Sequence, residues 1–170
     1  MTLYDTIVIG AGPGGMTAAM YAARSELKVL LLERGAPGGQ MNNTAEVENY
    51  PGFATIMGPE LSMKMFEPLE ELGVENAYGI VQNVTVNSEG IKQVITEDEV
   101  YEARTVIIAT GAQHRHLNVP GEAEYGARGV SYCAVCDGAF FRNQDILVVG
   151  GGDSAVEEAL FLTRFGSSVT

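Results

Sequence analysis

The first part of the chain has apolar runs separated by a glycine-rich turn. Thr6-Ile7-Val8-Ile9 is a short apolar run closed by glycines, which predicts a buried strand. Pro13 to Arg24 has apolar residues at helical spacing and a proline suited to a first turn, so it predicts a helix. Val29 to Leu32 is a second apolar run that ends at Glu33. Together these segments predict a βαβ unit that ends in a carboxylate.

The middle of the chain changes from an irregular loop to a helix and then to short strands. Residues 35–58 are rich in Gly, Asn and Pro, which predicts a ligand-lining loop, and Pro59 to Leu72 has the spacing of an amphipathic helix. From Gly79 to Val100, short alternating runs flank a turn at Asn87-Ser88-Glu89-Gly90 and predict an antiparallel meander. Val106-Ile107-Ile108-Ala109 then predicts another buried strand.

The C-terminal part repeats the strand, glycine turn and helix order. Ile146 to Val149 predicts a strand that leads into Gly150-Gly151-Gly152, and Ser154 to Phe165 has a helical pattern. A second βαβ unit should have its returning strand where the chain ends, at Ser167 to Thr170. We therefore expect this second unit to be half-built and interpret the chain as a piece of a longer protein.

Composition and charge narrow the function classes. Of the 170 residues, 22 are acidic and 10 are basic, which gives a net charge of −12. A net negative charge of this size repels the phosphate backbone of nucleic acids, so we expect no nucleic-acid binding. No run of apolar residues is long enough to span a membrane, and the N-terminus lacks the basic region of a secretory signal. These features predict a cytoplasmic protein.

The turn after the first predicted strand, Gly10-Ala11-Gly12-Pro13-Gly14-Gly15, satisfies G-x-G-x-x-G. In this motif the first glycine permits a tight turn, the second lets a pyrophosphate approach the backbone, and the third allows close packing of helix and strand. The phosphates then lie at the free N–H groups of the helix. Glu33, at the end of the next strand, is placed to accept ribose hydroxyls. The sequence therefore predicts a dinucleotide site.

A second motif, Gly150-Gly151-Gly152-Asp153-Ser154-Ala155, fits G-x-G-x-x-A after the later strand. Alanine in the third place still allows close packing of helix and strand. This turn predicts a second nucleotide site. A glycine turn that binds nothing is the alternative.

The only two cysteines form Cys133-Ala134-Val135-Cys136, followed by Asp137. Such a pair can close a small disulfide loop and exchange it with a partner's disulfide, and Asp137 could move the proton that thiol chemistry requires. The alternative is a zinc site in which His114 and His116 complete a Cys2His2 set. We interpret both histidines instead as plain linker residues and predict no metal.

Two dinucleotide motifs with C-x-x-C-D between them resemble the low-molecular-weight thioredoxin reductases. The resemblance covers the whole chain in order. Besides the two glycine turns and the cysteine motif it includes Gly38-Gly39-Gln40, Glu48-Asn49-Tyr50-Pro51-Gly52, Ala109-Thr110-Gly111-Ala112, Gly129-Val130-Ser131-Tyr132 and Val156-Glu157-Glu158-Ala159.

This resemblance implies an α/β fold, a Rossmann-like three-layer ββα sandwich with an antiparallel meander and a truncated second Rossmann-like domain. Residues 1–113 would belong to an FAD-binding domain and 114–170 would begin an inserted NADPH-binding domain. The implied FAD contacts are Gly10, Gly12, Pro13, Gly14, Gly15, Glu33, Arg34, Gly39, Gln40, Asn49, Val81, Thr110, Gly111 and Ala112. The implied NADPH contacts are Gly150, Gly152, Asp153, Ser154 and Ala155.

The resemblance also implies a reaction. Electrons would pass from NADPH through FAD to the disulfide and then to thioredoxin, in a homodimer. Cys136 would be the sulfur nearer the flavin, Cys133 would attack the partner disulfide, and Asp137 would be the general acid. Because the segment that grips the extra phosphate of NADPH should follow Thr170, we expect these 170 residues alone not to turn over NADPH. Three alternatives are ferredoxin as donor, a peroxiredoxin as acceptor, and a non-catalytic nucleotide- or zinc-binding module.

Overall fold

The structure, a computed structural model, describes residues 2–126 and 128–170 and divides into two compact units, Met1–Ala112 and Gln113–Thr170. The first unit contains six strands and two longer helices. In chain order these are β1 (Leu3–Ile9), α1 (Pro13–Arg24), β2 (Val29–Glu33), α2 (Gly58–Glu71), β3 (Glu75–Tyr78), β4 (Val81–Val86), β5 (Lys92–Thr96) and β6 (Val100–Ile108), with a 3₁₀ turn at Gly39–Asn43.

The six strands form one sheet in the order β3-β2-β1-β6-β5-β4. β1 pairs in parallel with β2 and β6, and β2 pairs in parallel with β3. The β4-β5-β6 meander is antiparallel, as predicted, but it is hydrogen-bonded into the same sheet through β6. Strand β3 was not predicted, because its short sequence is largely exposed and lacks an apolar run.

Side chains alternate between the two faces of the parallel strands and enter two core clusters. Val8 and Leu31 belong to the cluster that includes Met16 of α1 and Leu69 of α2. Their neighbours enter the other cluster, together with residues of the meander: Tyr4, Ile7, Ile9, Leu30, Leu32, Val94 and Ala103. Helices, parallel strands and meander therefore form three layers, and the predicted ββα arrangement is confirmed.

One expectation about the core is wrong. The segment Val106 to Ala109 was predicted to be a buried strand, yet Ile107 and Ile108 are 38% and 71% exposed. Neither of the two core clusters formed by the described residues includes these side chains. Apolar character alone marked the strand, but it did not show which part of the strand the other layers cover.

The second unit contains α3 (Ala134–Asp137), a 3₁₀ turn at Gly138–Phe141, β7 (Asp145–Ile146), α4 (Asp153–Leu162) and β8 (Ser168–Val169). β7 is shorter than the predicted strand from Ile146 to Val149. β8 lies where the returning strand of the second βαβ unit was expected, and it pairs in parallel with β7. The N–H of Val148 donates to the carbonyl of Thr170 at 2.7 Å, so pairing continues past the two-residue strands. Across the described ranges, no helix combines the length and apolar character needed to cross a membrane.

Candidate functional site

The first glycine turn connects β1 to α1, and two of its glycines are required for packing. Gly10 has φ +102°, and a Cβ there would lie 2.4 Å from the carbonyl oxygen of Ala109. A Cβ on Gly15 would lie only 1.8 Å from the carbonyl oxygen of Gly10. Both contacts are with backbone atoms, so a side chain at either position would displace the turn.

The other two glycines of the turn face open space. A Cβ on Gly12 or Gly14 would meet no atom within 4 Å. Gly12 is the N-cap of α1, and no side chain caps the N–H groups of the first helical turn. The turn therefore presents free backbone donors, at the positive end of a helix, to a space that an anionic group can enter.

Glu33 and a small cavity lie beside this turn. Glu33 accepts hydrogen bonds from the backbone N–H groups of Ala11 at 2.7 Å, Arg34 at 2.8 Å and Gly35 at 3.0 Å. A carboxylate offers about four acceptor positions, so one stays available for a ligand hydroxyl. The cavity, about 160 Å³, is lined mainly by apolar groups, by Glu33 and by Asn76: Ala11, Leu31, Glu33, Gly35, Pro37, Phe66, Asn76, Ala77 and Tyr78. Arg34 is exposed.

Two further predicted segments meet at the same turn. A Cβ on Gly39 would lie 3.3 Å from Cα of Gly12. The side-chain N–H of Gln40 donates to the carbonyl of Ala112 at 2.8 Å. Thr110 and Gly111 follow β6, whose Ile108 pairs with Ile9 just before the turn. The structure thus brings three sequence-distant segments together.

Asn49 and Val81 are not brought to this turn by any contact among the described residues. Asn49 is exposed on a loop that the Val47–Ile56 bridge closes. Val81 begins β4 and packs against the second core cluster. Their roles as cofactor contacts stay predictions from the family resemblance.

The second glycine turn joins β7 to α4. A Cβ on Gly150 would lie 2.8 Å from Cβ of Ala155, which is the close approach that the third motif position provides. Gly152 is the N-cap of α4 and faces open space, while Asp153 and Ser154 are exposed in the first helical turn. Close helix–strand packing and an open helix N-terminus are the two features that the predicted nucleotide motif requires.

Cys133 and Cys136 form a disulfide at the start of α3. The N–H of Cys136 donates to Sγ of Cys133 at 3.2 Å, and the N–H of Asp137 donates to the carbonyl of Cys133 at 3.1 Å. Cys133 is half-buried and Cys136 is exposed. A sulfur that accepts a backbone N–H is favoured as a thiolate once the bond is reduced.

No individual role was predicted for Ser131, which contacts the cysteine motif in the structure. Its hydroxyl donates to a carboxylate oxygen of Asp137 at 2.5 Å and accepts the N–H of Cys133 at 3.1 Å. The only sequence signal was a serine two positions before a cysteine, and serine at that spacing is common in turns.

Sequence reasoning also missed a polar cluster formed by Tyr132, Glu122 and the two histidines. Glu122 is only 8% exposed and accepts hydrogen bonds from the Tyr132 hydroxyl and from the N–H groups of Leu117 at 2.9 Å and Asn118 at 2.6 Å. Nδ1 of His116 lies 3.3 Å from the same carboxylate, and the His114 ring stacks on Tyr132 at 3.6 Å.

This cluster corrects the interpretation of the histidines as plain linker residues. They contact Tyr132 and Glu122, and both cysteine sulfurs are joined in the disulfide. The arrangement therefore gives the Cys2His2 alternative no support. The cluster instead fastens residues 114–122 to the residue that precedes Cys133.

The hydrogen bond from Tyr132, together with the N–H groups of Leu117 and Asn118, lowers the pKa of Glu122 from its ordinary 4.5 to about 2. Because the pKa of Glu122 is lower in the folded than in the unfolded protein, its ionised carboxylate stabilises the fold at pH values above about 4.5. This stabilisation is lost as the pH falls from about 4.5 to about 2. We expect Glu122→Gln to be less stable than the wild type at neutral pH, with a difference that shrinks over this window.

Urea unfolding of both proteins across the same pH window measures the difference. Glu124→Gln is the matched control, because Glu124 is an exposed carboxylate two residues away. A Glu122→Gln deficit that does not change with pH would contradict the assignment.

The geometry can be compared with known proteins. The sequence profile of the pyridine nucleotide-disulphide oxidoreductase family matches residues 4–170. Thioredoxin reductase from Bacillus subtilis (strain 168) is 59% identical over 168 residues, which are 99% of this chain and 53% of that protein.

Two solved structures are also similar. The crystal structure of thioredoxin reductase from Streptococcus pyogenes MGAS5005 is 67% identical with a TM-score of 0.91, over 98% of this chain and 54% of that one. A ferredoxin-flavin thioredoxin reductase from Clostridium acetobutylicum is 30% identical with a TM-score of 0.59, over 98% and 58%.

The chain spans about half the length of the curated relatives it matches. The match nevertheless includes both glycine turns and the disulfide, since it extends over nearly every residue. The chain belongs to the pyridine nucleotide-disulphide oxidoreductase family.

Proposed function

We propose that this chain supplies the FAD-binding and redox-disulfide parts of an NADPH-dependent thioredoxin reductase. The observation that most supports this proposal is the Cys133–Cys136 disulfide. The disulfide lies in the second unit, Gln113–Thr170, where it precedes the second glycine turn. The 59% identity to a thioredoxin reductase points the same way. In the proposal residues 1–113 bind FAD and 114–170 begin the NADPH-binding domain.

The residues of the first unit fit FAD. The open face at Gly12 and Gly14 gives a pyrophosphate access to the free N–H groups of α1, and the cavity beside Glu33 has apolar walls suited to a purine. The segments of Gln40 and Thr110 to Ala112 border the same turn. FAD, when bound, supplies a carrier that accepts two electrons from a nicotinamide and passes them to a disulfide.

The chain's own groups perform the thiol chemistry. After reduction, the Cys133 thiolate attacks one sulfur of the thioredoxin disulfide, and the other sulfur leaves as a thiolate that takes a proton from solvent. Cys136 then gives its proton to Asp137 and attacks Sγ of Cys133. The protein disulfide re-forms, and the second thioredoxin thiolate leaves and accepts that proton. Two electrons thus pass from the cysteine pair to thioredoxin, together with one proton from Cys136 and one from solvent.

The partner, assembly and location are parts of the same proposal. Similarity to thioredoxin reductases supports thioredoxin as the protein substrate. We also propose a homodimer and a cytoplasmic location, as the sequence analysis predicts. The net charge of −12 supports the absence of nucleic acid among the partners, and we propose no membrane partner either.

The visible absorbance spectrum of the purified chain tests the proposal. We expect flavin bands that bleach when dithiothreitol is added without oxygen, since that requires flavin and disulfide to exchange electrons. Flavin bands that no thiol bleaches would contradict the electron path. A protein that stays colourless when FAD is added would contradict flavin binding and favour the non-catalytic module.

Ferredoxin as the donor is a second candidate, because a ferredoxin-flavin thioredoxin reductase shares this fold at 30% identity. NADPH and reduced ferredoxin, added separately to the complete flavoprotein to which this chain is proposed to belong, distinguish the donors. Bleaching by NADPH supports the first proposal, and bleaching by ferredoxin alone supports the second.

A further inference from the structure

We infer that Ser131 is the positioning residue that holds Asp137 in place through both of its protonation states during dithiol–disulfide exchange. This inference rests on the proposed function, because it assigns a second residue to the proton transfer of Asp137. It starts from the hydroxyl of Ser131, which contacts both Asp137 and the backbone of Cys133.

The first step of the argument is geometric. Ser131 Oγ lies 2.5 Å from Oδ2 of Asp137, 3.1 Å from the N atom of Cys133 and 3.4 Å from its carbonyl oxygen. The N–H of Asp137 also donates to that carbonyl at 3.1 Å. These contacts close a small ring of hydrogen bonds around the first redox cysteine and fix the carboxylate relative to it.

The second step concerns the proton. A hydroxyl has one donor and two acceptor positions. When Asp137 is ionised, Ser131 donates to it and accepts the N–H of Cys133. When Asp137 is protonated, the acid can donate to Ser131 Oγ, and the hydroxyl can turn to the Cys133 carbonyl. An acid that alternates between the two forms is therefore held in each of them.

The third step is the use of that proton. In the resolving half of the exchange, Cys136 loses a proton to Asp137 and attacks Sγ of Cys133, and the departing thiolate of the partner receives the proton. Asp137 changes protonation twice in each exchange. Without the Ser131 hydroxyl its carboxyl group would rotate freely in a half-exposed position, and both transfers would slow.

The test compares Ser131→Thr with Ser131→Val, which differ in a hydroxyl against a methyl group. Each variant of the chain is reduced with dithiothreitol, desalted and mixed with oxidised glutathione, and the rate of disulfide formation is followed across the pH range of thiol titration. We expect S131T to retain the wild-type rate and S131V to be about tenfold slower, part of the roughly 10²–10⁴-fold that acid–base catalysis supplies.

The double variant identifies the cause. Asp137→Asn should slow disulfide formation, and S131V should cause no further loss in the S131V/D137N double variant. Ser167→Ala is the control, since it removes another serine–aspartate hydrogen bond, to Asp145 at 2.8 Å, and should leave the rate unchanged.

The outcomes distinguish the inference about Ser131 from the proposed proton-transfer role of Asp137. If D137N is slow while S131V matches S131T, the Ser131 inference is overturned and the role of Asp137 stands. If D137N matches the wild type, the role of Asp137 falls and the inference falls with it. If S131V loses its circular-dichroism spectrum while S131T keeps it, the hydroxyl is structural and the inference is overturned.

Discussion

Cys136→Ser is expected to stop disulfide exchange halfway and leave the chain covalently joined to thioredoxin. The Cys133 thiolate can still attack the partner, but a serine hydroxyl cannot resolve the mixed disulfide, because it is a far poorer nucleophile than a thiolate at neutral pH. Release of reduced thioredoxin should slow by at least about 10³-fold, as expected when an essential nucleophile is removed.

The prediction decides between two features of the structure that point in opposite directions. Cys136 is more exposed than Cys133, so accessibility alone would make Cys136 the attacking sulfur. Cys133 accepts the N–H of Cys136 at 3.2 Å, which favours the thiolate at Cys133. The hydrogen bond is the stronger of the two features, because only a thiolate attacks a disulfide. Exposure in the closed loop matters less, since opening a small disulfide loop can expose either sulfur.

The measurement is simple. Each reduced cysteine variant is mixed with oxidised thioredoxin, and the products are separated on a non-reducing gel and weighed by mass spectrometry. Cys133→Ser is the matched control and should give no stable adduct. An adduct with C133S and none with C136S would reverse the assigned roles of the two cysteines.

The elements nearest the first glycine turn could be predicted well from the sequence. Helix α1 spans Pro13–Arg24 as predicted, because a proline and a glycine N-cap define its start and the following Glu26 adopts a positive φ. The run before Glu33 predicted β2 because all of its apolar side chains are buried between two layers. Local sequence patterns predict the structure well around the first glycine turn, because backbone atoms themselves form this turn.

The contacts around the cysteines could not be predicted in the same way. Ser131 bonds Asp137 and Tyr132 bonds Glu122 because of how the segments fold back, and no periodic pattern marks such pairs. For β7, in contrast, the sequence pattern predicted a longer strand than the structure contains. Its apolar run predicted a strand up to Val149, but regular pairing with β8 ends at Ile146, and beyond it the N–H of Val148 donates to the carbonyl of Thr170.

The two kinds of glycine in the first turn have separable roles, and this gives the second large effect. Gly15→Ala places a Cβ 1.8 Å from the carbonyl oxygen of Gly10, and Gly12→Ala places the same atom in open space. Gly12 has φ −71° and ψ 177°, which alanine adopts without strain. Replacement by alanine should therefore destabilise the fold at Gly15 and weaken ligand binding at Gly12.

We expect Gly15→Ala to destabilise the chain by about 1–3 kcal/mol or more, because the clash is with backbone and no rotamer change can relieve it. Gly12→Ala should change the free energy of unfolding by less than about 1 kcal/mol, within the range of ordinary glycine replacements. Its effect should appear in FAD affinity, with a loss of about tenfold or more, since a methyl group displaces the pyrophosphate by roughly its own radius and a tenfold loss is about 1.4 kcal/mol.

Urea unfolding and titration of FAD fluorescence quenching, both on the purified chain, measure the two effects independently. The stability comparison needs no bound cofactor, so it tests the packing role even if FAD binds weakly. Gly12→Ala protein that is as stable as the wild type and binds FAD equally well would contradict the close approach of a pyrophosphate to this turn. Gly15→Ala protein of unchanged stability would mean that helix and strand can separate locally, and the packing role of the third glycine would be wrong.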